Sequence, residues 1–113
     1  MTGKPDDAAS SSDASARDRA SVAGDVSREI PIVNKRGLHA RASAKFVQMV
    51  ERFNADVSVT RNGETVGGNS IMGLMMLSAG IGTTITVSAT GPAAEAAVAA
   101  IAELVGNKFN EEE

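Results

Sequence analysis

The residues with the clearest capacity for chemistry lie in one basic stretch, residues 34–45. His39 is the only histidine of the chain, and Arg41 follows it by two positions. A neutral imidazole is a nucleophile near pH 7, so a histidine can accept a chemical group covalently and release it again. Positions 31–49 contain no acidic residue, and the cations of this stretch favour a negatively charged group. The pattern therefore indicates a site at which His39 binds a phosphoryl group.

The element that must position His39 is a helix that begins beside it. Apolar side chains recur at three- and four-residue steps: Phe46, Met49, Val50 and Phe53. This period predicts a helix from residue 39 to about residue 53, closed by Asn54 in a left-handed conformation. The first amides of a helix lack intrahelical partners and carry the positive end of the helix dipole. The amides of Ala40 and Arg41, with the Arg41 guanidinium, are therefore expected to bind the phosphoryl oxygens.

A second interpretation of the same stretch stays open on the residues alone. A lone histidine at a helix start is commonly a capping or surface residue, and clustered basic side chains commonly form a solvated face. The chain has no cysteine, no second histidine and no Gly-Lys-Thr loop, so thiol chemistry and nucleotide binding lack their residues. We expect neither a metal nor an organic cofactor in this chain.

The rest of the chain divides into an extension and one small domain. Residues 1–27 are rich in Ala, Ser and Asp, which predicts a disordered extension, and residues 110–113 are expected to fray. Residues 28–113 alternate strand and helix patterns, with Asn62-Gly63 as a hairpin turn. The predicted order is β-α-β-β-α-β-α, an α+β fold in which a four-stranded antiparallel sheet carries three helices on one face.

Composition argues against several kinds of partner. The formal net charge of −3 and the absence of Tyr and Trp argue against nucleic acid binding. No apolar run approaches the roughly 20 residues that cross a bilayer, so membrane insertion is not expected. The absence of cysteine fits a reducing compartment, and we expect a cytoplasmic monomer.

The second predicted helix, residues 71–78, combines a capping position with an apolar surface. Asn69 or Ser70 is expected to cap its start. Ile71, Leu74 and Leu77 fall on one stripe that should pack on the sheet. The other large apolar side chains lie off that stripe: Met72, Met75 and Met76. Exposed methionines adapt to several partners, which favours docking; filling gaps in the core is the alternative role.

Two segments of the chain resemble a known family. Gly37-Leu38-His39-Ala40-Arg41 closely resembles the active-site signature of HPr, the histidine-containing phosphocarrier of the bacterial phosphoenolpyruvate-dependent phosphotransferase system. Residues 69–77 resemble the segment around the regulatory serine of HPr, and the spacing from His39 to Ser70 also matches. The resemblance covers roughly residues 28–109 and implies an HPr-like open-faced β-sandwich of the order given above.

The resemblance implies a role for each of these positions. His39 would accept a phosphoryl group from enzyme I and pass it to an enzyme IIA domain, so that the protein is a relay substrate and not a turnover enzyme. Arg41 would steady the phosphoryl group, and Ser70 would be a target of HPr kinase/phosphorylase. The surface expected to dock these partners comprises Lys45, Ile71, Met72 and Met75.

The sequence departs from the family pattern at several positions, and these departures leave open whether the protein serves sugar transport or the nitrogen-related branch. Ala42 stands where many members have proline. The C-terminal portion resembles the nitrogen-related branch of the family, whereas residues 70–73 resemble the kinase-regulated branch. The alternative function is a regulatory, nitrogen-related protein that acts through phosphorylation-dependent partner binding without sugar transport. A third alternative, an interaction module that has lost the relay, is disfavoured by the intact pair of His39 and Arg41.

Overall fold

The structure is a computed structural model that describes residues 25–111. Its elements follow the chain as β1 (Val26–Pro31), α1 (Ala40–Val50), β2 (Asp56–Arg61), β3 (Glu64–Gly67), α2 (Ile71–Met76), β4 (Thr84–Thr90) and α3 (Ala94–Gly106), with a final 3-10 turn (Lys108–Asn110). The predicted order and the α+β class are confirmed. The predicted disordered extension lies almost wholly outside the described residues. β1 begins at Val26, two residues before the expected start of the domain at Arg28.

The four strands form one antiparallel sheet in the order β1-β4-β2-β3. Along β4 the side chains of Ile85, Val87 and Ala89 are buried, while the alternating Thr and Ser side chains lie on the opposite face. This two-residue period gives the sheet one apolar and one polar face. Asn62 (φ 52°) and Gly63 (φ 81°) make the turn from β2 to β3, because both turn positions require a left-handed backbone.

The three helices cover the apolar face of the sheet. Phe46 on α1, Leu74 on α2 and Ile101 on α3 are completely buried, so each helix contributes to one continuous core. α3 packs mainly on β1 and β4, and α1 contacts both other helices. The expected open-faced sandwich is therefore confirmed. No helix within residues 25–111 is both long and apolar enough to cross a membrane.

α1 ends earlier than its apolar period predicts. Helical geometry stops at Val50 and not at residue 53. The amides of Arg52 and Phe53 donate to carbonyl oxygens three residues back, at 3.1 Å each, so the chain tightens into a turn. The prediction that Asn54 is left-handed is wrong, because this turn already ends the helix and the backbone at Asn54 does not have a positive φ angle.

Candidate functional site

A tight loop between β1 and α1 places His39 at the helix start. Gly37 has a left-handed backbone (φ +63°), and a Cβ added there would collide with the carbonyl oxygen of Ala79 and lie 2.7 Å from Gly80 Cα. Only glycine therefore lets this loop pack against the segment that follows α2. The amide of Leu38 donates to the carbonyl oxygen of Ala79 (3.0 Å), which fixes the approach. His39 is the N-cap residue of α1, with an extended backbone (φ −75°, ψ −179°).

The first turn of α1 presents unpaired amides beside His39. The carbonyl oxygen of His39 accepts from the amide of Ser43 (2.8 Å), whereas the amides of Ala40 and Arg41 have no backbone acceptor within residues 25–111. The His39 side chain makes no capping bond to them. The Arg41 guanidinium is exposed and has no hydrogen-bond or ion-pair partner in the described part of the chain. The amides, the helix dipole and Arg41 together attract an anion to this end of α1.

A carboxylate that the sequence did not reveal contacts the histidine ring. His39 Nε2 lies 2.6 Å from Glu111 Oε2. The second oxygen of Glu111, Oε1, accepts a longer hydrogen bond from Asn34 Nδ2 (3.3 Å). Asn34 is completely buried and also donates to the carbonyl oxygen of Gly37 (2.9 Å). The side chains of His39 and Glu111 are 21% and 11% exposed, so solvent reaches the pair only in part.

The segment that carries Glu111 folds back towards the start of α1. Three successive residues, Lys108, Phe109 and Asn110, have left-handed backbones (φ 57°, 57° and 59°). Each such residue costs roughly 1–2 kcal/mol when it is not glycine, and the complete burial of the Phe109 side chain offsets part of that cost. Lys45 Nζ donates to the carbonyl oxygen of Phe109 (2.6 Å). Lys45, an expected docking residue, thus holds this segment, residues 107–111, which we call the C-terminal arm.

The expectation that residue 111 frays is therefore wrong. The one local signal for an ordered arm was Phe109, an apolar residue that follows the end of α3 by a few positions. Removing such an apolar side chain from water stabilises the fold only if the chain returns to the core. The contact between Glu111 and the histidine had no local signal, because the two residues are 72 positions apart.

The environment of Glu111 favours its ionised form. Desolvation by burial acts to raise the pKa of its carboxyl group. The hydrogen bonds from His39 and Asn34, together with charge interactions with His39 and Lys45, outweigh that effect, so the pKa of Glu111 lies below its ordinary value. Glu111 is therefore a carboxylate near neutral pH.

Ser70, one of the two residues that the sequence offers as a cap, is the N-cap residue of α2. Its Oγ accepts a hydrogen bond from the amide of Gly73 (2.9 Å), and its backbone is extended (φ −116°, ψ 109°). The hydroxyl group satisfies one of the amides that the helix start leaves unpaired. Ser70 is partly exposed.

Four apolar side chains of α2 are exposed, and we call them the α2 patch: Ile71 (40%), Met72 (73%), Met75 (42%) and Met76 (67%). Leu74 and Leu77 are buried, as the apolar stripe predicts. The prediction that Ile71 packs on the sheet is wrong. Ile71 opens a helix of only six residues, and Leu74, one turn later, already takes the place in the core. The methionines therefore do not fill gaps in the core but form part of the surface.

The start of α1 combines four chemical functions: a nucleophilic imidazole with a carboxylate in contact with it, unpaired amides and an exposed guanidinium. Among residues 25–111, no group of three or more His, Cys, Asp or Glu side chains could hold a metal ion. The arrangement suits the reversible covalent binding of an anionic group to His39.

Comparisons with known proteins agree with this arrangement. A family model described as the PTS HPr component phosphorylation site matches residues 26–107. The phosphocarrier protein HPr of Cupriavidus necator is 49% identical over 86 residues, which cover 76% of this chain and 97% of that protein. The phosphocarrier protein NPr of Shewanella violacea is 40% identical over 84 residues, with coverages of 74% and 92%. A crystal structure of HPr from Thermoanaerobacter tengcongensis superposes with a TM-score of 0.74 at 39% identity and covers 78% of this chain and 99% of its own.

The matched region begins with β1, ends at the C-cap of α3 and includes both signature segments. It spans most of the chain, and this chain covers the relatives named here almost from end to end. The chain belongs to the HPr family, the phosphocarrier proteins of the bacterial phosphotransferase system.

Proposed function

We propose that this protein carries a phosphoryl group on His39, accepts it from enzyme I and passes it to an enzyme IIA domain. The observation that carries the proposal is the placement of the only histidine of the chain at the N-cap of an eleven-residue helix, beside unpaired amides and an exposed arginine. Membership of a phosphocarrier family supports the same role.

The relay requires little covalent machinery from this chain. A ring nitrogen of His39 attacks the phosphorus atom of the phosphohistidine of enzyme I, and the donor ring leaves in line with it. Catalysis then depends on position and on the stabilisation of charge over the phosphoryl oxygens. The amides of Ala40 and Arg41 and the guanidinium of Arg41 are the groups that supply this stabilisation. The same contacts serve the next step, in which a histidine of the IIA domain is the nucleophile that takes the phosphoryl group from His39.

We assign partner docking to the α2 patch, with Lys45 as a lateral contact. Met72 is the most exposed member of the patch, and apolar side chains of this size are rarely exposed together unless they bind something. Met72→Glu should therefore raise the KM of enzyme I for this protein without changing kcat. Ala96→Glu, on an exposed position of α3, is the matched control. Equal KM values for the two variants would contradict docking through this patch.

Ser70 is the candidate regulatory position. A phosphoryl group on its Oγ would replace the hydrogen-bonded hydroxyl at the start of α2 and add negative charge beside the α2 patch. The same modification would therefore change the surface that a partner meets. Ser70→Asp should slow phosphorylation by enzyme I, whereas Ser70→Ala should mainly lose about 1 kcal/mol of helix capping. An unchanged rate with Ser70→Asp would remove Ser70 as a regulatory position.

The second candidate function is regulation through the nitrogen-related branch, without sugar transport. The identity to the NPr protein of Shewanella violacea, 40%, supports this candidate. In both functions His39 carries the phosphoryl group. The two functions differ in which IIA domain receives it.

Reconstitution of the relay tests the proposal and separates the branches. Enzyme I, labelled phosphoenolpyruvate and magnesium are combined with this protein and with either a sugar-specific or a nitrogen-related IIA domain. We expect label on one IIA domain only when this protein is present, and none with His39→Ala. If enzyme I becomes labelled but neither IIA domain does, the result would contradict the relay.

A further inference from the structure

We propose that Glu111 is a positioning residue for His39: its carboxylate holds the proton of Nε2, leaves Nδ1 as the acceptor nitrogen and stabilises the cationic ring that phosphoryl transfer creates. The inference rests on the proposed role of His39 as phosphoryl acceptor and deepens it. Glu111 lies outside both signature segments and outside the residues that the family model matches.

The contact between the ring and the carboxylate fixes where the ring proton lies. Glu111 is ionised near neutral pH, because its pKa is lowered, and an ionised carboxylate only accepts hydrogen bonds. At 2.6 Å from Glu111 Oε2, His39 Nε2 must therefore be the donor. A neutral imidazole has one protonated nitrogen and one with a lone pair, so Nδ1 is the nucleophilic atom.

The contact is built into the fold. Asn34, completely buried, donates to the other oxygen of Glu111 and so orients the carboxylate plane. Phe109, two residues earlier, is completely buried in the core. Lys45 Nζ donates to the carbonyl oxygen of Phe109 (2.6 Å) and ties the C-terminal arm to α1. Three separate groups thus hold the position from which Glu111 reaches the ring.

The transfer step explains why a carboxylate is useful at this position. The lone pair of Nδ1 forms the new bond to phosphorus, the phosphorus–nitrogen bond of the donor breaks, and its electron pair returns to the donor ring. The proton of Nε2 stays in place, so the phosphorylated ring of His39 is cationic. Glu111 stabilises this charge through a charge-assisted hydrogen bond. Nδ1 and Nε2 are on different edges of the ring, so the phosphoryl group does not displace the carboxylate.

The first test concerns the unphosphorylated ring and needs no enzyme I. Nitrogen-15 NMR of His39, at a pH where the ring is neutral, should show a single tautomer with the proton on Nε2. In Glu111→Ala both tautomers should be populated, and the Nε2 proton should exchange with water roughly tenfold faster. A proton on Nδ1 in the wild type, or an unchanged ring spectrum in a folded Glu111→Ala variant, would overturn the proposal.

The second test measures the chemical step. Glu111→Gln keeps the size of the side chain and removes its charge, so kcat for phosphorylation by enzyme I should fall roughly three- to tenfold at an unchanged KM. Glu103→Gln, an exposed position on α3, makes the same charge change and should react at the wild-type rate. Equal kcat values for the two variants would overturn the role of Glu111. If the wild type accepts no phosphoryl group at all, the proposed function fails while the tautomer measurement still stands.

Discussion

At the scale of the residue, His39 has two kinds of neighbour with opposite charge. The first amides of α1 and the Arg41 guanidinium favour the phosphoryl oxygens, and the carboxylate of Glu111 lies 2.6 Å from Nε2 of the ring. A phosphohistidine carries both charges at once, a dianionic phosphoryl group on a cationic ring. The site is therefore complementary to the product as well as to the transfer step.

Arg41 should contribute to the rate of transfer more than to stability. Its side chain is exposed and has no partner among the described residues, so Arg41→Ala should leave the free energy of unfolding within about 0.5 kcal/mol of the wild type. The rate of phosphorylation by enzyme I should fall roughly 10- to 100-fold, because a donor to the phosphoryl oxygens is lost. Arg52→Ala, at the opposite end of α1, is the control and should react normally. Equal rates of phosphorylation for the two variants would exclude Arg41 from the site.

The pair of His39 and Glu111 should make stability depend on pH. The pKa of Glu111 is lowered in the folded protein, so its contribution is fully present above the ordinary value of 4.5 and is lost as the pH falls through the folded value. The groups that face this carboxylate are His39, Asn34 and Lys45. Because the pair is partly solvated, Glu111→Gln should lower the free energy of unfolding near neutral pH by about 1 kcal/mol at most. Urea unfolding at several pH values measures this difference, which should vanish in acid; a difference independent of pH would contradict it.

At the scale of the element, the site depends on how one loop packs against another. The loop before α1 meets the segment after α2 at Gly37 and Ala79. This contact fixes the position of His39 at the start of α1. The strands follow their sequence patterns closely, because alternation of apolar and polar residues is set by the sheet itself. The end of α1 and the exposure of Ile71 do not follow their patterns. Phe53 still packs against the core, but from the tight turn after α1 and not from the helix. Ile71 stands at the first position of the short helix α2, where its side chain is 40% exposed.

Substitution of Gly37 should be costly although the side chain added is small. Gly37→Ala would place a Cβ on the carbonyl oxygen of Ala79 at a backbone with φ +63°, so the free energy of unfolding should fall by about 2 kcal/mol or more. Gly106→Ala is the matched control, because a Cβ there meets nothing within 4 Å and the residue is helical. It should be neutral or slightly stabilising. Urea unfolding of both variants checks the pair, and equal stabilities would contradict the packing of the loop.

At the scale of the whole molecule, much of the fold and of the candidate site could be predicted from the sequence, because the contacts that form them are local. His39, Arg41 and Ser70 lie in short segments whose neighbours in the chain are also their neighbours in the helix starts. The contacts of Glu111 are not local: Asn34 is 77 positions away from it, and no periodic pattern relates residues at that distance. Such a contact depends on how the complete sheet and α3 bring the C-terminal arm back to α1.

The described domain contains its own core, so the first residues of the chain should add little to its stability. Residues 1–24 are rich in Ala, Ser and Asp, so we expect them to bury too little apolar surface to offset the entropy of ordering. Deletion of residues 1–24 should therefore leave the thermal midpoint within about 2 °C of the wild type. Calorimetry of the two proteins measures the shift. A large drop would show that the extension packs on the domain.

The central claim is that His39 carries the phosphoryl group. The most direct measurement is the intact mass of the protein after incubation with enzyme I, magnesium and phosphoenolpyruvate, for the wild type and for His39→Ala. We predict that the wild type gains the mass of one phosphoryl group, that the gain is lost in acid, and that His39→Ala gains nothing. A wild type that stays unmodified beside an enzyme I that is itself phosphorylated, or a His39→Ala variant that gains the same mass, would contradict the claim.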